Sequence, residues 1–397
     1  MGTRRWVCSF AAGDASDPVG RDLLGSKGAG LVEMTRAGIP VPPGFTITTA
    51  ACRHALAHDG AWPVGLWEEI VGSLAGIETD TGRRFGDPAD PLLLSVRSGA
   101  AVSMPGMMET ILNLGLDADA VVGLAGQSGD ERFAWDSYRR LIQMYSRVVL
   151  DVTSDRFEAQ LTLRKSRAGV TQDAALDVPA LRTLVDAYRD LVLGAAGQAF
   201  PDDPWLQLRG AIDAVFQSWN TERAVAYRRE FRISDDLGTA VTIQAMVFGN
   251  LGDDCATGVA FTRDPATGER RLVGEYLANA QGEDVVAGIR TPLPLDGMAA
   301  NPRLTRAFGE LQRVAATLEA HYREAQDLEF TIERGRLWML QTRSAKRTGA
   351  AAVRIAVAMV REGAIDTATA VRRVAPVQLD QMLHPMIDPA AEPEVLT

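Results

Sequence analysis

Four polar residues near the end of the chain have the types and the spacing of a metal–phosphate site. Asp327 and Glu329 alternate with apolar residues in the stretch D-L-E-F-T-I, which predicts a strand with one polar and one buried face. The turn E-R-G-R follows, and L-W-M-L-Q-T-R predicts a second strand. If a three-residue loop with Gly335 in the left-handed conformation joins the strands, Glu329 lies opposite Gln341 and Asp327 lies opposite Arg343.

This cluster suits a magnesium ion bound together with a polyphosphate. Hard cations take oxygen ligands, and the arginine fork matches phosphate oxygens. We therefore take Asp327, Glu329 and Gln341 as candidate metal ligands and Arg343 as a candidate phosphate ligand. The alternative is an amphipathic hairpin whose polar face is merely solvated.

Lysine is rare in this chain, which makes each lysine informative. Of the 41 basic residues only Lys27, Lys165 and Lys346 are lysines. A lysine among so many arginines indicates a place where a compact ammonium group is needed. Lys27 stands in L-L-G-S-K-G-A-G-L-V-E-M, where we expect a glycine-rich turn that leads into a short helix and favours an anion. The spacing is not that of a P-loop, and an ordinary glycine-rich turn is the alternative.

Arg97 is a second candidate anion ligand. It follows a predicted buried strand, P-L-L-L-S-V, and precedes a loop of small residues and methionines. An arginine at the carboxyl end of a buried strand is well placed to reach a ligand. Its alternative is an ion pair with a structural carboxylate. Met108, in the following loop, either lines an adaptable lid or fills the core.

The middle of the chain predicts a base-binding strand and a helical region. The strand through Gln244, Met246 and Val247 offers backbone hydrogen bonds and an apolar wall to an adenine, although a plain core strand is the alternative. Residues 116–198 have the 3.6-residue apolar spacing of amphipathic helices, which predicts a helical insertion with a structural role.

Composition excludes several classes of protein. The 397 residues predict two or three domains, and 46% hydrophobic with 23% charged residues is ordinary for a globular chain. A net charge of −10 argues against nucleic acid as the main partner. We find no apolar run that could span a membrane and no signal-peptide core. Cys8, Cys52 and Cys255 form no C-x-x-C pair and fit a reducing compartment, so we expect a cytoplasmic protein.

Five stretches, in order, resemble the nucleotide-binding portion of the pyruvate, phosphate dikinase family. They are LLGSKGAGLVEMTRAGIPVPPGFTITT from Leu23, SVRSGAAVSMPGMMETILNLGL from Ser95, ATGVAFTRDPATGE from Ala256, EYLANAQGEDVVAGIRTP from Glu275 and DLEFTIERGRLWMLQTR from Asp327. The resemblance extends over nearly the whole chain. It departs from the family at Gly30, where asparagine is expected and where glycine should loosen the turn.

The resemblance implies an α+β fold of the ATP-grasp type. It implies an ATP-grasp N-terminal subdomain at 1–115, a helical insertion at 116–200, an ATP-grasp C-terminal subdomain at 201–346, and a helical linker and tail at 347–397 that leads toward a phosphohistidine domain. The two α+β subdomains would enclose ATP between them.

The resemblance also implies roles for single residues. Lys27 and Arg97 hold the phosphates, with Arg343 beside them, and Asp327, Glu329 and Gln341 surround magnesium. The nucleotide-binding set is Lys27, Arg97, Met108, Gln244, Met246, Val247, Thr257, Gly258, Glu283 and Glu329.

The implied reaction is a phosphoryl transfer. The βγ-phosphoryl group of Mg-ATP passes to a histidine on a carrier domain, and phosphate then takes the γ group, which leaves AMP, pyrophosphate and phosphohistidine in support of phosphoenolpyruvate/pyruvate interconversion. His54, His58, His321 and His384 stand in no phosphohistidine motif. We therefore expect the carrier in trans, unless the chain is part of a longer one. One alternative is a related phosphotransferase with another acceptor, either an antibiotic or, as in a phosphoenolpyruvate synthase, water. The other alternative is a non-catalytic nucleotide sensor.

Overall fold

Two antiparallel sheets of five strands each, with helices around them, make up the computed structural model, which describes residues 5–11, 20–102, 104, 106, 109–282, 284 and 290–383. The strands are β1 (Val7–Ser9), β2 (Gly44–Ile47), β3 (Leu94–Ala100), β4 (Thr110–Leu114), β5 (Thr239–Ala245), β6 (Ala256–Phe261), β7 (Val273–Ala278), β8 (Leu293–Pro294), β9 (Gln326–Glu333) and β10 (Arg336–Ser344). The helices are α1 (Arg21–Arg36), α2 (Thr49–Ala57), α3 (Leu66–Thr81), α4 (Ala120–Ser128), α5 (Glu131–Val149), α6 (Ser154–Ala168), α7 (Val178–Ala196), α8 (Pro204–Ser218), α9 (Glu222–Glu230), α10 (Gly297–Ala300), α11 (Thr305–Tyr322), α12 (Gly349–Arg361), α13 (Thr367–Arg373) and α14 (Pro376–Leu383). None of these helices is both long and apolar enough to cross a membrane.

The first sheet has the strand order β1-β2-β5-β3-β4 and shares its core with the helical region. Helices α4 to α7 occupy the segment that the apolar spacing predicts to be helical. Their starts follow from the sequence, because Asp130 and Asp177 accept hydrogen bonds from backbone amides of the first turns of α5 and α7. Helix α5 then packs against α7 and against β4, which fixes the helices to the edge of the sheet.

The second sheet has the strand order β10-β9-β6-β7-β8. The alternation predicted for β9 is present: Leu328, Phe330 and Ile332 are fully buried in a core that includes Leu311 and Leu318 of α11. The polar residues between them therefore lie on the opposite face of the sheet.

Helix α1 packs against strands of both sheets. Its apolar residues, among them Leu31 and Val32, belong to the core of the second sheet. Two of its glycines lie close to the first sheet: a Cβ on Gly25 would stand 1.8 Å from the carbonyl oxygen of Gly99, and one on Gly28 would stand 2.6 Å from the Thr46 hydroxyl. Small residues thus let the helix approach one sheet while its larger residues fill the core of the other.

The expected glycine-rich turn before this helix is wrong, since Ser26 to Gly30 are helical. The only break inside α1 is at Gly25, with φ 68° and ψ 173°, so a second helical segment starts at Ser26. Gly30 lies buried in this segment, not in a turn, and a Cβ there would meet Thr342 at an ordinary 3.5 Å. The absence of asparagine at this position therefore does not loosen a turn.

The sheet topology bears on the expected division of the chain. Strand β5 pairs with β2 and β3, so the first sheet takes its last strand from residues well beyond 200. The described chain passes from the first sheet to the second once, between β5 and β6. We therefore propose to place the boundary between the two sheet units after Ala245 instead of before residue 201, with the helical region as an insertion within the first unit.

The helices after β10 pack on the second unit. Ala351, Ile355 and Met359 of α12 share a small core with Ala325 and Ala345. A buried polar cluster adds to this contact, and in it Arg263, which is 1% exposed, bonds Glu319 of α11 at 2.8 Å and Glu362 at 2.6 Å. Residues 347–383 are thus anchored to the sheet that precedes them.

Candidate functional site

A cavity of about 980 Å³ lies between the two sheets and takes lining residues from both sheets and from α1. Most of the residues predicted from the sequence line it together: Lys27, Arg97, Met246, Val247, Thr257, Gly258, Glu329, Gln341 and Arg343. Gln244 and Asp327 are not among the lining residues. Met108 and Glu283 lie outside the described residues.

Lys27 enters the cavity from the first turn of the helical segment that starts at Ser26. A segment that starts there leaves its first amide N–H groups without partners in their own helix, and they favour a negative charge. The Ser26 hydroxyl donates to the carbonyl oxygen of Ala100 at 3.1 Å and holds this turn against β3. The ammonium group of Lys27 thereby stands beside the carboxyl end of β3.

The electrostatic surroundings of Lys27 oppose its charge. The pKa of Lys27 is lowered from 10.5 to about 8, chiefly by burial and then by the nearby cations Arg97 and Arg343, whose effect the carboxylate of Glu329 partly offsets. Groups from α1, β3, β9 and β10 are therefore close enough to act on one ammonium group. A bound anion would relieve the repulsion among the three cations.

The charge of the cavity lining is strongly positive, although the chain as a whole is acidic. Among the residues that the structure describes, the lining includes six basic residues, Arg21, Lys27, Arg97, Arg147, Arg343 and Lys346, and one acidic residue, Glu329. Since the chain carries a net charge of −10, this concentration of positive charge is local. It suits a ligand with several negative charges.

The hairpin of β9 and β10 has the predicted pairing: Glu329 lies opposite Gln341, and Asp327 lies opposite Arg343. The predicted three-residue loop is wrong. Glu333 pairs with Arg336, and the two residues between them both have positive φ, 49° at Arg334 and 73° at Gly335.

A β-bulge restores the register that the shorter loop would have changed. Paired positions shift by one residue between Met339 and Gln341, so Leu340 is the extra residue of β10. Because successive strand residues alternate between faces, this one residue brings Gln341 to the face that carries Glu329.

Asp327 and Arg343 form an ion pair at the end of the hairpin. The Nε of Arg343 donates to Oδ2 of Asp327 at 2.7 Å, and the side chain of Asp327 is only 7% exposed. The side chain of Arg343 remains 40% exposed and lines the cavity. Asp327 thus holds the guanidinium beside the cavity, while Glu329 and Gln341 line it directly.

Only part of the segment predicted to border an adenine lines the cavity. Met246 and Val247, just after β5, line the cavity. The carboxamide of Gln244 instead lies in the core, where its Nε2 donates to the carbonyl oxygen of Pro42 at 3.0 Å. Thr257 and Gly258 of β6 line the cavity from the other sheet.

Several lining residues were not predicted as site residues. Arg147 lies on α5, within the helical region for which the sequence predicts a structural role, and no local sequence pattern separates it from the other charged residues of that helix. Lys346 had a signal, because it is a rare lysine just after the hairpin. Gln281 follows β7 in the stretch that resembles the dikinases, where the residues themselves suggested only a loop.

Comparison with known proteins agrees with this architecture. The family described as "Pyruvate phosphate dikinase, AMP/ATP-binding domain" matches residues 21–81, 59–295 and 298–364. The chain is 51% identical over 403 residues to pyruvate, phosphate dikinase of Rhizobium meliloti, which covers 99% of this chain and 45% of the relative. The chloroplastic enzymes of Mesembryanthemum crystallinum and Arabidopsis thaliana are each 52% identical, over 97% of this chain and 40% of their own length.

The two sheets and the cavity between them define an ATP-grasp nucleotide-binding protein of the α+β class, as expected. The chain belongs to the pyruvate phosphate dikinase AMP/ATP-binding domain family. It spans less than half the length of the curated relatives that it matches.

Proposed function

We propose that this chain binds Mg-ATP between its two sheets and transfers the βγ-phosphoryl group to a histidine of a carrier domain. The observation that carries the proposal is the meeting of Lys27 and Arg97 from one side of the cavity with Glu329, Gln341 and Arg343 from the other. A polyphosphate with its cation explains all of them.

The basic residues bind and orient the phosphates. Lys27, Arg97 and Arg343 come from three different elements, so they can contact a polyphosphate from several directions. Phosphoryl transfer depends mainly on positioning and charge neutralisation, with little covalent chemistry for the protein to perform. The ion pair with Asp327 fixes Arg343 at the rim of the cavity and so reduces the entropy that Arg343 loses on binding.

Glu329 and Gln341 fit a magnesium ion that is bound chiefly through the nucleotide. Their side chains offer oxygen ligands from opposed positions of one hairpin. Magnesium in nucleotide sites takes one or two protein carboxylates and completes its shell with phosphate oxygens and water. Asp327 is the third proposed ligand, and its bond to Arg343 occupies one of its oxygens. When bound, the ion would neutralise charge on the β- and γ-phosphates.

The proposed transfer takes place in two steps. The carrier's imidazole nitrogen attacks the β-phosphorus, the bond from that phosphorus to the oxygen bridging the α-phosphate breaks, and AMP leaves. Inorganic phosphate then attacks the γ-phosphorus, which yields pyrophosphate and leaves phosphohistidine on the carrier. In both steps Lys27, Arg97 and Arg343 would stabilise the charge of the transferred group.

The names of the relatives suggest the pathway step that this transfer would serve. Pyruvate, phosphate dikinase names both pyruvate and phosphate, and this chain matches less than half of each such relative. We propose that the phosphohistidine formed with this chain serves phosphoenolpyruvate/pyruvate interconversion, with the carrier domain on a partner chain or elsewhere in a longer one.

Isotope exchange tests the proposal. The chain would be mixed with Mg-ATP, labelled AMP and phosphate, with and without a separately expressed phosphohistidine domain, and the label followed into ATP. Exchange that requires the carrier and is lost in Lys27→Met supports the transfer to histidine. Tight magnesium-dependent binding of ATP without exchange would refute that acceptor, and absence of ATP binding would refute the site itself.

A further inference from the structure

Gln281 is a buried cavity residue whose side chain has no protein partner among the described residues. It is 5% exposed, lines the cavity between the sheets, and neither its side-chain nitrogen nor its oxygen is hydrogen-bonded within that part of the chain. A buried carboxamide without partners destabilises the folded state. A ligand that supplies the missing hydrogen bonds would remove that penalty.

Other buried glutamines show what a structural role requires in this fold. Gln207 donates from Nε2 to the carbonyl oxygens of Leu116 and Pro201, both at 2.9 Å, and its Oε1 accepts from Gly115 at 3.0 Å. Every side-chain atom of Gln207 that can make a hydrogen bond therefore has a protein partner. Gln281 is also buried, at 5% exposure, and differs in having no side-chain partner in the part of the chain that the structure describes.

The neighbours of Gln281 place its backbone near Gly249, which follows Met246 and Val247 along the chain. The amide of Ala280 donates to the carbonyl oxygen of Gly249 at 2.8 Å, and Gly249 also lines the cavity. The amide of Gln281 itself donates to Oδ2 of Asp284 at 2.9 Å. The backbone is thus anchored on both sides of Gln281, next to the wall proposed for the adenine.

We propose that Gln281 recognises the purine base, with its carboxamide oxygen accepting from the 6-amino group and its nitrogen donating to an adjacent ring nitrogen. A carboxamide presents one acceptor and one donor side by side, which matches this edge of adenine. The inference rests on the proposed binding of ATP and adds the residue that selects its base. The basic residues of the cavity would not provide such selection, since the proposed phosphate contacts are common to all nucleoside triphosphates.

Binding of ATP and of purine riboside triphosphate, which lacks the 6-amino group, tests this assignment by calorimetry in wild type and in Gln281→Leu. We expect wild type to prefer ATP by about tenfold, the value of one good hydrogen bond, and the variant to lose most of that preference. An unchanged preference in the variant would overturn the assignment. A Gln281→Leu variant that instead stops discriminating against 2′-deoxy-ATP would also overturn the assignment. That result would mean that the carboxamide contacts the ribose and not the base.

The stability of the ligand-free protein separates this role from a structural one. Leucine has a volume close to that of glutamine and removes the unpartnered polar group, so Gln281→Leu should melt at the same temperature as wild type or higher. Gln207→Leu is the matched control: it should lower the melting temperature while keeping the preference for ATP. A lowered melting temperature in Gln281→Leu would contradict the absence of protein partners. If wild type binds no ATP at all, the proposed function itself is refuted, independently of which residue would recognise the base.

Discussion

At the scale of single residues, the ammonium group of Lys27 has a pKa well below that of an ordinary lysine. Its pKa of about 8 in the ligand-free protein means that it loses its proton just above neutral pH, earlier than an ordinary lysine. A bound polyphosphate raises the pKa of Lys27 again, because a nearby negative charge favours the ammonium form. Binding of ATP above pH 8 must therefore take up a proton.

We expect the ATP dissociation constant to rise with pH once pH exceeds the pKa of about 8. The slope approaches about tenfold per pH unit, since one proton is taken up per nucleotide. Calorimetry in buffers of different ionisation enthalpy measures the proton uptake directly. Lys27→Arg is the control, because arginine stays protonated across this range. The same pH slope in Lys27→Arg would show that another group titrates.

Glu329 and Asp327 should respond differently to removal of their carboxylates. Glu329→Ala removes a proposed magnesium ligand and should weaken the dependence of ATP affinity on magnesium concentration. Asp327→Asn should lower ATP affinity but keep more of the dependence on magnesium concentration. The main loss in this variant is the ion pair between Asp327 and Arg343. Titration of ATP at several magnesium concentrations compares the two. Full magnesium-dependent affinity in Glu329→Ala would remove Glu329 from the metal site.

At the scale of elements, α1 packs one face against each sheet. The space around its glycines therefore differs from one glycine to the next. Gly25→Ala should destabilise the protein by more than about 2 kcal/mol, because its Cβ would overlap the Gly99 carbonyl and because a φ of 68° strains alanine. Gly30→Ala should stabilise it by about 0.5–1 kcal/mol, since the position is helical and has room. Urea unfolding of both variants checks this, and equal effects would contradict the close approach at Gly25.

The β9–β10 hairpin shows how far the sequence predicts this fold. The alternation of polar and apolar residues predicts both strands, and the assumption of a three-residue loop then leads to the pairs Glu329–Gln341 and Asp327–Arg343. It does not predict that the turn has two residues and that a bulge at Leu340 restores the register. A two-residue turn followed by a bulge gives the same pairs as a three-residue loop without a bulge. The pattern of polar and apolar residues therefore cannot distinguish the two arrangements.

Tertiary contacts determine what the sequence pattern could not predict. Glycines in L-L-G-S-K-G-A-G-L usually indicate a turn, but here they allow α1 to lie against β3, and that packing outweighs their low helix propensity. Arg147 reaches the cavity only because α5 packs on β4. The side chain of Gln244, in the strand predicted to border a base, donates to the carbonyl oxygen of Pro42, a contact between distant segments.

At the scale of the whole molecule, the Arg263 cluster joins the helices after β10 to the nucleotide-binding unit. Arg263 is almost fully buried between Glu319 and Glu362, so loss of one carboxylate leaves its charge poorly compensated. Glu362→Ala should lower the free energy of unfolding by about 2 kcal/mol. Arg361→Ala, an exposed neighbour, is the control and should have little effect. Chemical denaturation measures both, and equal losses would mean that the cluster contributes nothing specific.

The position of α1 has a consequence for cutting the chain in two. A protease nick between Gly252 and Asp253, where the chain passes from the first sheet to the second, would leave α1 covalently attached to one fragment while its apolar face completes the core of the other. We expect the nicked fragments to elute together in size-exclusion chromatography and to melt in one transition. Separate expression of either fragment would expose that core, so the two halves of the nucleotide site should reconstitute only when both fragments fold together.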